Sequence, residues 1–219
     1  MKLIKLSLAA AVLATGMLAA ETSEVGVSAN MAITSNYVWR GMTQSHNSPA
    51  IQGGIDLDYE GLYAGAWGSN VNFGDKSSLE ADIYAGYSNE ISDFSYDVGY
   101  VQYVYPNESD ELNFGEAYVG LGYDFGVASV GAKYSLGVDT ADNDYDLNNW
   151  EITASAPLPM EFSVDAVYGD YDEYGAYYLV GLNKSFGKFD FTLAYTAMDY
   201  DADGEDTEDN FVATVATSF

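Results

Sequence analysis

The sequence has no cysteine, one histidine, one arginine and four prolines, and its seven basic residues face 34 acidic ones. Without cysteine the fold cannot rely on disulfides, which fits an exported protein without identifying one. A formal charge of −27 excludes a nucleic-acid partner, because such a partner needs a basic face. His46 is the sole histidine, and nothing around it resembles the base of a hydrolase. No catalytic residues are therefore assigned, and the chain is not read as an enzyme. Long apolar runs are also missing. The longest, Leu6 to Ala20, is shorter than the ~20 residues that a membrane-spanning helix requires.

That one run follows Lys2 and Lys5 and is rich in Ala and Leu, the layout of a secretory signal peptide. Residues 1–20 are expected to be the leader, with cleavage after Ala20, and residues 21–219 the functional domain. Losing Lys2 and Lys5 leaves five bases against 34 acids. High acidity with few aromatics would suggest disorder. Here there are 20 Tyr, 10 Phe and 3 Trp, with 22 Gly, which describes an all-β protein.

Period-two alternation recurs throughout, and helical periodicity is hard to find. Val25 to Trp39 forms a first segment, with Val27, Met31, Ile33, Tyr37 and Trp39 in phase. Later segments set Ile55 and Leu57 against Asp56 and Asp58, and Ile83 and Ala85 against Glu80 and Asp82. Leu62 to Val71 has small residues on both phases, and its facing stays open. Twelve such segments can be counted. The connections alternate in length, from Glu60-Gly61 and Phe186-Gly187 to Gly41–Ser48 and Asp199–Asp209. The expected fold is a transmembrane antiparallel up-and-down β-barrel of about 12 strands, with short periplasmic turns and longer acidic external loops. Aromatics at segment ends, including Tyr37, Trp39, Tyr59, Trp150 and Tyr195, are expected to form interfacial girdles.

The last segment, FVATVATSF, places Phe211, Ala213, Val215, Thr217 and Phe219 on one face. A soluble edge strand would rarely leave such a face uncovered. Phe211 and Phe219 are expected to serve as the signal that outer-membrane assembly machinery reads. With the stretch SNYVWRGMTQS (Ser35 to Ser45) and the acidic second strand, the chain resembles the TorF-type porins. These are small proteobacterial outer-membrane proteins formerly grouped as a conserved hypothetical family. The resemblance implies an outer-membrane barrel of porin type and carries no defined binding residues.

The phase opposite the apolar one is acidic: Asp56, Asp58, Glu80, Asp82, Asp97, Glu116, Asp124, Glu151, Asp165 and Asp190. Arg40 and Lys133 are the bases placed inside with them, Arg40 near the outer mouth as a constriction charge or as partner to a loop acid. Because unpaired buried carboxylates are costly, this imbalance points to water and mobile cations in the lumen. The expected function is passive diffusion of small hydrophilic solutes with a cation bias. The alternative is a non-conducting surface, adhesion or structural barrel. Expected partners are outer-membrane lipid and lipopolysaccharide, the barrel-assembly machinery, and small solutes or ions. Asp199, Asp201 and Asp203 with Gly204 match the opening of a calcium loop but lack its closing Glu, so weak binding of divalent cations is expected there and no other cofactor.

Overall fold

The computed structural model describes residues 25–106, 112–138, 146–202, 204 and 206–219. The leader 1–20 and Asp203 lie outside the described residues. Twelve strands close a barrel: β1 (Gly26–Thr34), β4 (Ala50–Tyr59), β5 (Leu62–Ser69), β6 (Glu80–Ile91), β7 (Phe94–Val104), β8 (Phe114–Asp124), β9 (Ser129–Val138), β10 (Asn149–Leu158), β11 (Phe162–Tyr171), β12 (Gly175–Phe186), β13 (Phe189–Tyr200) and β14 (Glu208–Ser218). Every neighbouring pair is antiparallel, and β1 pairs with both β4 and β14. Two further strands, β2 (Val38–Trp39) and β3 (Met42–Thr43), form a small hairpin of their own.

Alternation decides the facing. In β4 Ile51, Ile55 and Leu57 are exposed while Gln52, Asp56 and Asp58 turn inward; in β14 Phe211 and Val215 are exposed while Asn210, Val212 and Thr214 are buried. Phe211 is 82% exposed and Leu193 66%. An apolar outside around a polar inside is the reverse of a water-soluble protein, and it would aggregate in water. In a bilayer that surface meets lipid while every backbone group stays paired within the closed sheet. The facing of β5, open from sequence, is settled: Leu62, Ala64 and Ala66 point out, and Tyr63, Gly65 and Trp67 point in. Rings on the outer face pair across strands at the long-loop end, Trp150 with Tyr168 at 5.7 Å and Tyr195 with Phe211 at 5.1 Å. Tyr59, Phe94 and Tyr123 mark the opposite rim.

Connections on the terminal side are short, as at Glu60-Gly61 and Gly187-Lys188, and those on the other side are mostly long. The seam between the first and last strands ends with Phe219, whose N–H donates to Ala29 at 2.9 Å and whose carbonyl accepts from Ala29 at 3.2 Å. Deleting Phe219 removes both bonds from the one junction that local sequence cannot hold together. At about 1 kcal/mol each, their loss should reduce the fraction of chain that migrates as a compact, heat-modifiable barrel. Unchanged gel migration and membrane yield would show that the last residue is dispensable.

One expectation fails. Tyr37 and Trp39 do not continue β1 or join a girdle. The strand ends at Thr34, and the chain bends into the lumen, leaving Tyr37 buried. Their phase matches that of β1, so alternation alone could not detect the bend. What holds it is Asn36, whose amide donates to Asn47 and Asn210 while its carbonyl oxygen accepts from Thr43 and Ser45.

Candidate functional site in the barrel lumen

The β2–β3 hairpin is built on a two-residue turn, Arg40-Gly41, with φ of 48° and 82°. Positive φ at both positions gives the twist that a tight hairpin needs. Arginine is an unusual choice there, and its backbone conformation costs of order 1 kcal/mol or more. The side chain supplies the compensation. Its two terminal nitrogens each donate to Glu116 of β8 at 2.7 Å, and both groups are buried. The guanidinium also lies 4.1 Å from the Trp39 ring centre and 4.5 Å from that of Tyr171 on β11, in cation–π geometry.

The hairpin crosses the lumen. A side-chain carbon on Gly41 would lie 2.6 Å from the carbonyl oxygen of Ala197 on β13, so only glycine fits against that wall. Going round the ring, β13 stands five strands from β8 in a circuit of twelve. Arg40 on one side and Gly41 on the other therefore fix the hairpin to nearly opposite walls. Trp39 meets Tyr103, Phe114 and Tyr171 at ring separations of 5.4 to 6.2 Å, and Tyr37 meets Trp67 at 5.5 Å. Thr43 N–H donates to Glu208 at 2.7 Å, and the Gln44 carbonyl accepts from Asn72. The first long loop is thus a lumen constriction, held by polar bonds at its rim and aromatic packing at its centre.

Asp124 is exposed at the short turn after β8, where it accepts from Gly126, and the structure places the other nine predicted acids on the inward phase together with Lys133, with Arg40 projecting from the hairpin turn. They divide into two groups. Glu80, Asp82 and Glu116 lie buried beside the hairpin. Glu80 accepts from Tyr37 at 2.7 Å and from Tyr105 at 2.9 Å. Asp56, Asp58, Asp97 and Asp190 line the wall away from the hairpin and stay partly accessible, Asp165 on the same wall is buried, and Glu151 is partly accessible within electrostatic reach of Arg40. Asp97 accepts from Tyr63 at 2.7 Å, Asp56 from Tyr84, Asp165 from Asn183 and Asp190 from Ser185. Lys133 reaches Glu151 at 3.3 Å, and Tyr177 also donates to Glu151. Among the described residues only Glu116 and Glu151 have a basic partner. Five of the nine, Asp56, Glu80, Asp97, Asp165 and Asp190, are held by neutral donors, and Asp97 also lies within electrostatic reach of Lys133.

Sequence reasoning missed the lumen tyrosines. Tyr63 on β5, Tyr84 on β6 and Tyr118 on β8 are half-buried; Tyr63 and Tyr84 donate their hydroxyls to Asp97 and Asp56, and Tyr118 bonds to the Tyr63 hydroxyl. A side-chain carbon on Gly65 would strike the Tyr84 ring, so that ring lies flat on the wall. Tyr84 and Tyr118 share the phase of Asp82 and Glu116, a signal that was available. The calcium-like loop is only partly described. Asp199 and Asp201 are exposed, and Asp199 accepts from Thr207 at 3.2 Å. His46 is exposed in the first loop.

A closed barrel with an apolar outer face, a charged lumen and an inward-folded loop is a porin-like transmembrane barrel. The chain belongs to the family described as "Bacterial protein of unknown function (Gcw_chp)", whose model matches residues 18–219. No curated protein sequence matches it. Among solved structures it is similar to the KdgM porin, with a TM-score of 0.62 at 11% identity over 88% of this chain and 99% of that one. A second KdgM structure, in complex with disordered oligogalacturonate, gives 0.62 at 10% identity over 88% and 98%. The NanC porin gives 0.57 at 12% identity over 89% and 99%. These likenesses are of fold.

Proposed function

We propose that this protein is an outer-membrane channel for passive diffusion of small hydrophilic solutes, biased towards cations and narrowed by its first loop. The observation that carries this is the lumen wall, where nine carboxylates face inward against Lys133 and Arg40. Rings of carboxylates concentrate cations and repel anions. The bound oligogalacturonate of the KdgM complex is a polyanion. This wall has the wrong sign for such a ligand, so the shared fold carries a different solute class here. The leader expected over residues 1–20, the apolar outer face and the resemblance to TorF-type porins all support residence in the outer membrane, in contact with lipid and lipopolysaccharide after delivery by the assembly machinery. The likeness in fold to the KdgM and NanC porins supports a channel in preference to an enzyme.

A second reading has its own observation. Tyr37, Val38, Arg40 and Ser45 are all buried, so the hairpin fills much of the mouth. A barrel shut in this way would act at the surface without conducting. Reconstitution into planar bilayers separates the two. Stepwise currents with a cation-selective reversal potential are expected. Silence at all voltages would favour the non-conducting barrel, and anion selectivity would overturn the proposed sign.

A further inference from the structure

Glu80 and Asp82 stand two residues apart on the inner face of β6, so their backbones are separated by ~6.8 Å and their carboxyl groups can converge. Asp82 is 0% exposed and Glu80 2%. Glu80 is held by the phenols of Tyr37 and Tyr105, whose oxygens keep lone pairs free. Asp82 is different. Neither of its oxygens has a hydrogen-bond partner among the described residues. The groups within electrostatic reach of it are Glu80 on its own strand, Tyr84 beside it, Tyr103 of β7, Tyr105 just beyond β7, and Tyr37 of the infolded loop. None is a base. Arg40, which also lies within electrostatic reach of Tyr103, is engaged by Glu116.

Leaving a buried carboxylate with neither donor nor counter-charge costs several kcal/mol. Natural structures rarely tolerate that without a ligand to satisfy the group. Two carboxylates carry two negative charges. One shared proton would neutralise only half of that charge, whereas a divalent ion balances it all. The available ligands are hard oxygens: both oxygens of Asp82, the Glu80 carboxylate and the phenol oxygens of Tyr37 and Tyr105. Such a set suits calcium or magnesium, which take carboxylates together with neutral oxygens. We propose that Glu80 and Asp82 form a divalent-cation site in the lumen wall, roofed by Tyr37 of the infolded loop. A bound ion would tie the loop to β6 at a point away from Arg40. This inference depends on the wall and not on conduction, since a non-conducting barrel would bind the ion equally well.

Terbium(III) tests it, because tyrosine and tryptophan sensitise its emission and the site lies among Tyr37, Tyr84, Tyr103, Tyr105 and Trp67. The full barrel, folded in detergent micelles, should show tyrosine-excited terbium emission that calcium displaces. A group that merely orients a metal ligand is worth ~10–100-fold in affinity, so losing a ligand should cost at least ~tenfold. Asp82→Asn and Glu80→Gln should each do so. Asp199→Asn combined with Asp201→Asn removes two carboxylates of the acidic loop and should leave the displaceable emission in place. If Asp82→Asn does not assemble, Glu80→Gln reads the same site, because its amide oxygen still accepts from both phenols. Emission that calcium does not displace, or that persists at wild-type affinity in the Glu80→Gln or Asp82→Asn barrel, overturns the site and leaves the pair holding a proton.

Discussion

Replacing Arg40 with Ala is expected to raise single-channel conductance several-fold and to lower the unfolding temperature of the barrel. The substitution removes two 2.7 Å bonds and both ring contacts, leaving Glu116 buried without its cation. Breaking a buried pair by deleting one partner costs about 3–5 kcal/mol, mostly through the charge left behind. The loop has a second cause to leave. Its turn was held at positive φ against backbone preference, and without the guanidinium nothing offsets that strain. Stability and conductance can be uncoupled by a second substitution. Arg40→Ala with Glu116→Gln removes the orphaned charge and should recover much of the lost unfolding temperature, while the loop stays unlatched and the conductance high. Wild-type conductance in both variants would mean that the aromatic packing of Trp39 holds the loop unaided. Arg40→Lys gives a further check, because a single ammonium cannot engage both carboxylate oxygens in the parallel geometry of a guanidinium. Its conductance should fall between those of wild type and the alanine variant.

Much of the barrel was legible because a lipid-facing wall imposes a strict rule: every second residue must be apolar, and the others are free to be polar. Ile55 and Leu57 against Asp56 and Asp58, or Ile83 against Glu80 and Asp82, leave no freedom in facing. The rule weakens where both phases are small, as in Leu62–Ser69, and it fails where the chain leaves the wall while keeping its phase. Tyr37 and Trp39 follow Val27, Met31 and Ile33 at even spacing, yet they pack against the inside of the barrel. Their hairpin turn is Arg-Gly, where Asn-Gly or Asp-Gly would have announced it. The useful clue was scarcity. A chain with a single arginine, set among 34 acids, has committed that group to one partner. Which acid it meets is a matter of tertiary geometry: Glu116 is 76 residues away, and only barrel closure brings β8 under the first loop. The division of the acids into a buried group and an accessible one is likewise invisible to alternation. It depends on where the hairpin lies.

The accessible group should set ion selectivity. Asp56, Asp58 and Asp97 are inward on β4 and β7, outside the packed zone around the hairpin, and among the described residues none has a basic side chain bonded to it. Converting all three to Asn removes three negative charges while the amide oxygen can still accept from Tyr63 and Tyr84. The wall therefore keeps its shape. In a salt gradient the wild-type reversal potential should lie on the cation-selective side, and in the triple variant it should move towards the value set by free diffusion alone. Screening gives the direction of the salt effect. At 0.1 M the field of a carboxylate reaches ~10 Å, comparable to a small lumen, and at 1 M only ~3 Å. The difference between wild type and variant should thus be large in dilute salt and should nearly vanish in molar salt. Conductance should change in the same sense, with the variant passing less cation current at low salt and matching wild type at high salt. A triple variant as cation-selective as wild type in dilute salt would place the selecting charges at the buried acids beside the hairpin instead. The same measurement on Glu80→Gln would then locate them.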